Sequence, residues 1–460
     1  MKDSKTELNL IIENIEMAEK IAVKVKGEGG RAYYVGGFVR DRLLGTNEHN
    51  CDIDIEVHGV AEDRLNEILG GLGMPITVGK AFGIISLKNY NIDVALPRLE
   101  EKIGEGHRGF DVVIDSNLGT YTAAKRRDFT VNAIMEDILT GELIDHFGGL
   151  KDIENKIIRY VDEKTFVEDP LRVLRACQLA SRLEFEIDAK TRSLCQTMDL
   201  RELSKERVYN EVVKVFDKAS KPSIFFRELD KMGHLAYWFK ELEDTLSVEQ
   251  NPVYHGEGNV FEHTMLALDE GSKLKTKVRH PRNFMFAMLC HDLGKSVSSK
   301  STNGKITSVG HEEEGVALAR NFLKRLTNNK AIIHYVENMV KMHMKPGSCA
   351  RNKSKIKSTN KMFDSSVEPV DLIYMAVADH LGRITKEPMA DIEGFLLERF
   401  ETYREMMALP YVTGQDLIES GLEPGEGFGE VLAFAKKLRL AGVPKESALK
   451  QTLRYGRKTL

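Results

Sequence analysis

The segment Tyr34-Val-Gly-Gly-Phe-Val-Arg-Asp-Arg-Leu-Leu-Gly45, followed by Cys51-Asp-Ile-Asp-Ile-Glu-Val57, decides the fold of this chain. The residues before Gly36 and most of the second segment are rich in Tyr, Val and Ile, which predicts two strands. Between them the Gly-Gly pair opens a short amphipathic helix over Phe38–Leu44, which Gly45 ends as a C-cap. We therefore expect a strand, a helix and a second strand in close succession.

The same segment carries residues suited to phosphate and metal chemistry. Gly36 and Gly37 let backbone N–H groups approach a phosphate at a helix start, and Arg40 offers a bidentate fork one turn later. Asp52 and Asp54 are two residues apart on a predicted strand, so their carboxylates share one face. Paired carboxylates beside a phosphate cradle are typical of two-metal phosphoryl transfer. The alternative is a surface hairpin with alternating acids.

The Gly-Gly-x-Val-Arg-Asp and Asp-x-Asp motifs, in this order, resemble the nucleotidyltransferases of the DNA polymerase beta superfamily. More narrowly, they resemble the class II tRNA nucleotidyltransferase (CCA-adding) and bacterial poly(A) polymerase family. The resemblance implies a mixed-sheet, polymerase beta-like head in which Asp52 and Asp54 hold two Mg²⁺ ions. These ions would activate the RNA 3′-hydroxyl and stabilise the departing pyrophosphate.

The rest of the predicted head adds three features. Ile92–Leu96 reads as a strand, and Asp93 on it is either a third carboxylate of the site or an Asp that closes a turn after Asn91. Arg98–Phe110 contains three glycines among charges, which predicts a loop of high backbone freedom. In the family this loop helps to switch from C to A addition. The run Val78–Ile85 resembles the CCA-adding enzymes more than the polymerases.

A second motif, Arg126-Arg-Asp-Phe-Thr-Val-Asn-Ala-Ile134, follows. Two arginines, an Asp and an Asn at short helical spacing can contact a triphosphate, a ribose hydroxyl and metal-bound water. A surface charge cluster at a helix start is the alternative. The motif resembles the family's Arg-Arg-Asp-Phe-Thr-x-Asn-Ala string, which implies that Arg127, Asp128 and Asn132 bind the nucleotide.

From Lys151 onward the composition becomes helical. In Glu168-Asp-Pro-Leu-Arg-Val-Leu-Arg175, Asp169 and Arg172 are three apart and share a helix side, as an ordinary ion pair would. The segment also resembles the family's Glu-Asp-x-x-Arg-x-x-Arg element, in which the Asp and first Arg read the Watson–Crick edge of the incoming base. The resemblance adds Arg175 to the nucleotide-binding residues. This chain has Gln178-Leu179 where family members often have Arg-Phe, so the family's third arginine contact is either absent here or supplied by Arg182 one turn later.

Separate histidines and aspartates form a third cluster further along the chain. An apolar helix over Phe284–Leu289 leads to an adjacent His-Asp pair, and imidazole and carboxylate ligands suit Mn, Fe, Ni or Zn. The order resembles the HD phosphohydrolase superfamily. The resemblance implies the ligands His263, His291, Asp292 and Asp379, with His311 and His343 as second-metal or phosphate-contacting residues.

Composition limits the class of protein. The formal net charge of −4 argues against non-specific coating of nucleic acid, so an RNA partner would meet local basic patches. Lys341–Lys361, with seven Lys or Arg and no acid, is such a patch or a solvated connector. Five cysteines without CxxC spacing, a charged N-terminus and the lack of a long apolar run predict a cytoplasmic protein without a membrane span.

We therefore predict an α+β protein with an N-terminal helix (1–30), a nucleotidyltransferase head (31–150), an all-helical neck (151–250), an HD domain (251–385) and a helical tail (386–460). The predicted function is template-independent addition of CCA to tRNA from CTP and ATP, with Mg²⁺ in the head. A transition metal in the HD domain would support a phosphohydrolase activity. The alternatives are a poly(A) polymerase, a CC- or A-only adding enzyme, and an HD phosphohydrolase with a nucleotide-binding head.

Overall fold

The computed structural model describes residues 4–46, 52–72, 75–77, 84–87, 89–102, 110–303, 305–386 and 390–459. The chain divides into two compact units. Unit 1 comprises Met1–Arg207 and Lys231–Gly233, and unit 2 comprises Val208–Asp230 and His234–Leu460. The sequence predicted an α+β protein with a mixed sheet in its N-terminal part, and this fold class is confirmed. The neck predicted as all-helical at 151–250 is not entirely so, because Ile157–Ile158 and Glu186–Ile187 pair there as two short parallel strands.

Most of the described strands lie in unit 1. The strands are β1 (Arg31–Val35), β2 (Ile53–His58), β3 (Pro75–Thr77), β4 (Ile84–Leu87), β5 (Ile92–Ala95), β6 (Arg98–Lys102), β7 (Phe110–Ile114), β8 (Met135–Asp137), β9 (Leu143–Ile144), β10 (Ile157–Ile158), β11 (Glu186–Ile187), β12 (Lys300–Thr302) and β13 (Lys305–Thr307).

Helices make up most of the remaining described chain. They are α1 (Ser4–Gly27), α2 (Gly37–Leu43), α3 (Glu62–Gly70), α4 (Thr120–Lys125), α5 (Gly149–Asn155), α6 (Glu163–Phe166), α7 (Leu171–Leu183), α8 (Ala189–Gln196), α9 (Lys205–Lys218), α10 (Ser223–Lys231), α11 (Leu235–Trp238), α12 (Lys240–Glu243), α13 (Val260–Lys273), α14 (Pro281–Cys290), α15 (Lys295–Ser298), α16 (His311–Leu326), α17 (Lys330–Met342), α18 (Met344–Arg351), α19 (Ile356–Ser365), α20 (Pro369–Leu381), α21 (Ile392–Ala408), α22 (Gly414–Glu419), α23 (Phe428–Leu440) and α24 (Lys445–Thr459). Short 3₁₀ helices cover Thr130–Asn132, Asp244–Ser247 and Lys275–Lys277.

The central sheet of unit 1 is mixed. Among the described residues its strand order is β3-β4-β5-β2-β1-β8-β9, in which β2 and β5 are parallel and the other neighbours are antiparallel. Ile53, Ile55 and Val57 of β2 point into the core, where α1 and α3 also contribute apolar side chains. Because side chains alternate along a strand, Asp54 and Glu56 face the opposite side of the sheet. One face of β2 is therefore polar.

The predicted helix between the first two strands is confirmed as α2. Gly45 follows it with a φ of +68°, a left-handed conformation that glycine adopts without a Cβ clash. The N-terminal helix predicted within residues 1–30 is likewise present as α1.

The prediction that Arg98–Phe110 is entirely a loop was wrong. Strands β6 and β7 pair antiparallel, from Arg98 opposite Ile114 to Lys102 opposite Phe110, and only residues 103–109 lie outside the described chain. A partner strand supplies hydrogen bonds that glycine content and charge do not reveal. Residues 78–83 of the run Val78–Ile85 also lie outside the described chain, while the remaining two begin β4.

Unit 2 is built mainly from packed helices. Helix α13 packs against α14 and α20, and α17 packs against α14 and α16. The predicted apolar helix over Phe284–Leu289 is fully buried within α14 and ends at His291, which is its C-cap. Among the described residues, no helix combines the length and the hydropathy that crossing a membrane would require.

Candidate functional sites

Three aspartates come together on the polar face of the central sheet. Asp54 on β2 lies directly beside Asp93 on β5, and the Ser86 hydroxyl of β4 donates a hydrogen bond to Asp93 Oδ1. The pKa of Asp54 is raised to about 6, first by partial desolvation and then by the negative charges of Asp93 and Asp52, while Arg127 opposes the shift. The three carboxylates therefore form a site of unfavourable negative charge that a cation would relieve, and oxygen-only ligands fit a hard divalent ion.

Gly36 fills a position next to these carboxylates that no other residue could occupy without strain. Its φ is +70°, and a Cβ placed there would lie 3.4 Å from Arg127 Nη1 and 3.5 Å from Asp54 Oδ2. Gly37 then begins α2. The space between the arginine and the carboxylate is kept open by the missing side chain, as the predicted phosphate approach requires.

The Arg40 guanidinium, which was predicted to bind phosphate, is held by protein groups, and its contact with a phosphate stays a prediction. Its side chain is only 3% exposed, and its Nε and Nη2 donate to Asp41 Oδ1 over 2.9 and 2.7 Å. Its Nη1 donates to Asn132 Oδ1 over 2.5 Å. The guanidinium is thus held within the protein, because a carboxylate and an amide from neighbouring segments satisfy it there.

Asp128 and Asn132 lie in the same buried region. Asn132 Nδ2 donates to Asp128 Oδ1 over 3.0 Å, and Arg175 of α7 donates to Asp128 Oδ2 through Nε over 2.6 Å. Burial would raise the pKa of Asp128, but Arg175 and Asn132 outweigh it and lower this pKa to about 2. Arg182 lies on α7, and the sequence indicated it as the substitute for the family's third arginine. It donates to Asp41 Oδ2 over 2.6 Å.

These contacts make one continuous chain of hydrogen bonds, in which the neutral Asn132 links two ion-paired parts, and we call it the polar network. Its members are Arg40, Asp41, Asp128, Asn132, Arg175 and Arg182. The network joins α2, the 3₁₀ turn and α7 within unit 1. The structure therefore brings Asp128, Asn132 and Arg175 together, and their contact with the nucleotide stays a prediction.

Glu56 is a site residue that the sequence reasoning missed. It is buried on the polar face of β2 and accepts from Arg127 Nη2 over 3.1 Å and from Arg126 Nη2 over 3.3 Å. Burial would raise the pKa of Glu56, but His58 and the two arginines lower it to about 2. Glu56 thus holds Arg127 beside Asp54. The signal was present in the sequence, because Asp52, Asp54 and Glu56 continue one period-two series.

Asp169 and Arg172 are close in sequence but bind different partners. Asp169 Oδ2 accepts from Arg207 Nη2 over 2.7 Å, and Oδ1 accepts from the backbone N–H of Leu171 over 3.1 Å. Arg172 donates to the backbone carbonyls of Thr165 over 2.6 Å and Arg126 over 2.9 Å. Both side chains are half-buried. They are therefore oriented separately, which differs from the alternative of a simple helix ion pair.

The six histidines and aspartates predicted in the second half of the chain do come together in unit 2. His263 Nε2 lies 2.9 Å from Asp379 Oδ1 and 3.4 Å from His291 Nε2, and His291 Nε2 lies 3.3 Å from Asp292 Oδ2. We call His263, His291, Asp292 and Asp379 the first ligand group. All four side chains are buried.

A second group shares Asp292 with the first. His311 Nε2 lies 3.3 Å from Asp292 Oδ1, His343 Nε2 lies 3.6 Å from the same atom, and the two Nε2 atoms are 3.1 Å apart. We call Asp292, His311 and His343 the second ligand group. Asp292 faces the two groups with different oxygens, which is the arrangement of a carboxylate bridging two ions.

The imidazoles are oriented by hydrogen bonds at their other nitrogen. Nδ1 of His291, His311 and His343 each bonds a backbone carbonyl, of Met288, Ser308 and Val340 respectively, over 2.6–2.8 Å. A carbonyl only accepts, so each Nδ1 carries the proton, and in a neutral ring Nε2 is then a lone pair. Lone pairs that face one another and a carboxylate fit metal ions.

The electrostatics of this cluster also fit cations. Burial would lower the pKa of His291, but Asp292 and Asp379 raise it to about 10. At His343, burial together with the positive charges of His291 and His311 outweighs Asp292 and lowers the pKa. Asp292 Oδ2 is buried without a hydrogen-bond donor in good geometry, although Lys295 Nζ lies 2.6 Å away. Positive charge is therefore favoured around Asp292, between the two ligand groups.

Glu257 is a supporting residue that the sequence reasoning did not single out. Its Oε1 lies 2.9 Å from His263 Nδ1 and 2.8 Å from His255 Nδ1, and its Oε2 accepts from the Ile384 backbone N–H over 2.9 Å. It therefore orients His263. His255 lies behind this ligand rather than within either group. The His-x-Glu spacing at 255–257 was the signal available.

Comparison with known proteins assigns families to three parts of the chain. Residues 32–159 match the family described as the poly A polymerase head domain. Residues 184–246 match the probable RNA and SrmB-binding site of polymerase A, and residues 260–384 match the HD domain. The expected head and HD domains are confirmed.

Similarity to individual proteins covers almost the full length. A multifunctional CCA protein from Xanthomonas campestris pv. campestris (strain B100) is 31% identical over 434 residues, covering 92% of this chain and all of the relative. The CCA-adding enzyme of Bacillus stearothermophilus in complex with CTP has the same fold, with a TM-score of 0.64, 23% identity and coverage of 97% and 99%. The Thermotoga maritima enzyme complexed with tRNA aligns with a TM-score of 0.58, 21% identity and coverage of 97% and 98%. The chain belongs to the CCA-adding nucleotidyltransferase family, among the members that carry an HD domain.

Proposed function

We propose that this protein adds C, C and A to the 3′ end of tRNA from CTP and ATP without a nucleic-acid template. The observation that carries the proposal is the placement of Asp52, Asp54 and Asp93 beside Gly36 and Arg127. Membership of the CCA-adding family supports the choice of nucleotides and RNA.

The carboxylate oxygens make Mg²⁺ the proposed ion of the head. When bound, Mg²⁺ would activate the RNA 3′-hydroxyl and offset the charge of the departing pyrophosphate. In the reaction the 3′-oxygen bonds to the α-phosphorus, the bond to pyrophosphate breaks, and the hydroxyl proton is released to solvent. Arg127 is held by Glu56 next to Asp54, where its guanidinium can bind the triphosphate.

Asp169 and Arg172 are the proposed readers of the incoming base. Asp169 can accept from the exocyclic amine of cytosine or adenine, and each terminal nitrogen of Arg172 has a second N–H beyond the one bound to a carbonyl. The support is their half-buried position and their separate anchors, Arg207 for Asp169 and two backbone carbonyls for Arg172. Rigid anchoring favours discrimination between bases, since a donor held in place cannot move to pair with a base of the wrong geometry.

The test is incorporation of labelled CMP and AMP into tRNA that ends at its discriminator base. We expect stepwise addition of C, C and A by the natural protein, and loss of all three additions in Asp54→Asn. Asp63→Asn, which removes an exposed carboxylate from α3, is the matched control and should remain active. Long A tracts would instead identify a poly(A) polymerase, and addition that stops at CC, or is confined to A, would identify a partial enzyme.

A second function is favoured by the two ligand groups of unit 2. We propose metal-dependent hydrolysis of phosphate esters at RNA or nucleotide ends, including 2′,3′-cyclic phosphates. Water would supply the new oxygen on phosphorus, one ester P–O bond would break, and the leaving ester oxygen would take the water's proton and become a hydroxyl. Imidazole ligands favour Mn, Ni, Fe or Zn over Mg²⁺. This activity would clear an RNA end that cannot be extended.

Hydrolysis of a 2′,3′-cyclic nucleotide across a panel of metals tests the second function. We expect His291→Ala and Asp292→Ala to abolish hydrolysis while nucleotide addition continues, because the ligand groups and the head carboxylates belong to different units. Absence of bound metal after purification, together with no hydrolysis in any metal, would refute it.

The functional boundaries are also a proposal. We place the head at 31–150, the neck at 151–250, the HD domain at 251–385 and the tail at 386–460, supported by the matched ranges 32–159, 184–246 and 260–384. The division into compact units falls inside the proposed neck, after Arg207. We also propose a reducing, cytoplasmic location, supported by the cysteines at 177, 195, 290 and 349, which are present as thiols.

A further inference from the structure

A glutamate and a histidine on the polar face of β2 bind both ends of the segment that contains α4. Glu56 and His58 are two residues apart and share that face, and His58 Nε2 lies 3.1 Å from Glu56 Oε1. His58 Nδ1 lies 2.8 Å from the carbonyl oxygen of Leu118, which precedes α4. The other carboxylate oxygen of Glu56 accepts from Arg126 and Arg127, which follow α4. The pair therefore clamps α4 onto β2 at both of its ends.

The two hydrogen bonds of His58 require a donor at each ring nitrogen. A backbone carbonyl only accepts, and so does an ionised carboxylate. An imidazole that satisfies Leu118 and Glu56 together therefore carries a proton on both nitrogens. The His58 ring also meets the buried Tyr33 ring edge to face, with the ring centroids 5.3 Å apart. Because its nitrogens and its ring all have partners, His58 fixes the direction of the Glu56 carboxylate.

The carboxylate of Glu56 leaves positive charge on its far side. It is buried and carries one negative charge against the two guanidinium groups that donate to it. Arg127 Nε is buried without a hydrogen-bond acceptor. Arg127 Nη1 also borders the space that Gly36 leaves open, 3.4 Å from where a Cβ would lie. A buried donor without an acceptor, on a guanidinium beside an open space, suits an anionic ligand such as a phosphate.

We propose that His58 and Glu56 are positioning residues for nucleotide binding, in which His58 orients Glu56 and Glu56 holds Arg127 in place for the triphosphate. The pair acts on the phosphates and not on the base, so its contribution is the same for CTP and for ATP. This separates it from Asp169 and Arg172, the proposed readers of the base. The inference rests on the proposed nucleotide addition and adds a device for phosphate binding that is independent of the base.

Steady-state kinetics of CMP and AMP addition test the role of Glu56. Glu56→Gln keeps the shape of the side chain but removes its charge. We expect KM for CTP and KM for ATP to rise by the same factor, about 10- to 100-fold, as for the loss of a charge-assisted hydrogen bond. The value of kcat should change little, because Arg127 would bind the triphosphate both before and during the reaction. Unchanged KM values, or a rise for only one nucleotide, would overturn the inference.

Two substitutions of His58 test whether it acts through Glu56. His58→Phe keeps a ring against Tyr33 but removes both donors, and it should raise both KM values about 2- to 10-fold, as for an ordinary hydrogen bond. His58→Gln keeps a donor for Glu56 and should restore both values towards those of the natural protein. Equal KM values in His58→Phe and the natural protein would remove His58 from the proposal.

Glu136→Gln is the matched control. Glu136 is also buried and ion-paired, with Oε1 3.0 Å from Arg42 Nη1. It lies opposite Tyr34 across β1 and β8, and it is therefore on the core face of the sheet rather than on the polar face. Both KM values should be unchanged in this variant. An equal rise in Glu136→Gln and Glu56→Gln would assign the effect to the stability of the sheet and overturn the inference.

Binding measurements separate failure of this inference from failure of the proposed function. Calorimetry on the full-length chain with Mg²⁺ and without tRNA would compare CTP, pyrophosphate and cytidine. Glu56→Gln should weaken binding of CTP and pyrophosphate by the same factor and leave cytidine unchanged. The HD domain contributes equally in both proteins, because Glu56 belongs to unit 1. If the natural protein adds no nucleotide, the proposed function fails, whereas equal weakening of all three ligands, or of none, would overturn the role of Glu56.

Discussion

Replacing Asp41 by Asn should destabilise the part of unit 1 that surrounds α2. Asp41 is fully buried, and it accepts from Arg40 with one oxygen and from Arg182 with the other. Burial lowers the pKa of Arg40 and Asp41 opposes that shift, so the carboxylate offsets part of the cost of burying the guanidinium. In Asp41→Asn, Arg40 keeps its bond to Asn132 but loses its counter-charge.

The expected loss of folding free energy in each variant follows from how exposed Arg40 and Arg182 are. Removing one partner of a buried ion pair typically costs about 3–5 kcal/mol, because the other charge stays desolvated. Arg40 is 3% exposed and falls in that class, whereas the Arg182 side chain is 21% exposed and can be partly solvated. Arg182→Met leaves Asp41 with Arg40 and should cost only about 1.5 kcal/mol, the low end for a charge-assisted hydrogen bond.

Native-state hydrogen exchange of the amides in α2 and α7, followed by mass spectrometry, measures these free energies locally. Fluorescence of Trp238 would not serve, because that residue lies in unit 2. The double variant that combines Asp41→Asn with Arg182→Met should be about as unstable as Asp41→Asn alone, since both proteins lack the ion pair between residues 41 and 182. Strictly additive single effects, or an Asp41→Asn effect below about 0.5 kcal/mol, would refute the reasoning.

Three further predictions concern base choice, acid stability and RNA binding. Asp169→Ala should change relative incorporation of CTP, UTP, ATP and GTP by about 1–3 kcal/mol, more than it slows addition, because the half-buried acceptor for the base amine is removed. The pKa of Asp128 is lowered to about 2 from an ordinary 3.8, so its carboxylate stabilises unit 1 by about 2 kcal/mol above pH ~4. This stabilisation is lost as the pH falls to about 2, and Asp128→Asn should remove that pH dependence from local hydrogen exchange. Lys353, Lys355 and Lys357 are exposed. Changing all three to Glu should make the slope of log K for tRNA binding against log salt concentration less steep, by about 0.7–0.9 for each phosphate that the variant no longer neutralises.

Each of these has a matched control or a contradicting result. Unchanged nucleotide preference in Asp169→Ala would reduce that residue to an anchor for Arg207. An Asp128→Asn protein that keeps the full loss of stability between pH 4 and 2 would assign that loss to other carboxylates. For the basic segment, the control changes the exposed Lys20, Lys24 and Lys26 of α1 to Glu. Equal weakening by both triple changes would indicate net charge rather than a specific surface.

The sequence alone was enough to predict features that depend on neighbours along the chain. Period-two spacing on a predicted strand placed Asp52 and Asp54 on one face, and the structure has that face opposite the core. An apolar helix followed by His291 and Asp292 was also readable, since a continuous buried run and its end are local properties. The family resemblance likewise rested on short motifs, and it is confirmed by relatives along nearly the full chain.

Tertiary structure decided which partners these side chains contact. Arg40 was predicted to contact phosphate, but its guanidinium is buried because Asn132, 92 positions away, accepts from it. Asp93 joins Asp54 only because β5 lies parallel to β2. Pairing of β6 with β7 likewise made a hairpin of a segment that composition predicted as a loop.

In unit 2 the sequence named the ligands but not their geometry. Only the packing of helices brings Asp292 between two groups of histidines, and only backbone carbonyls at the ends of turns set which imidazole nitrogen faces the centre. The physical reason is the same in both units. Periodicity and motif spacing report interactions along the chain, whereas desolvation and hydrogen-bond partners depend on segments that are distant in sequence and adjacent in space.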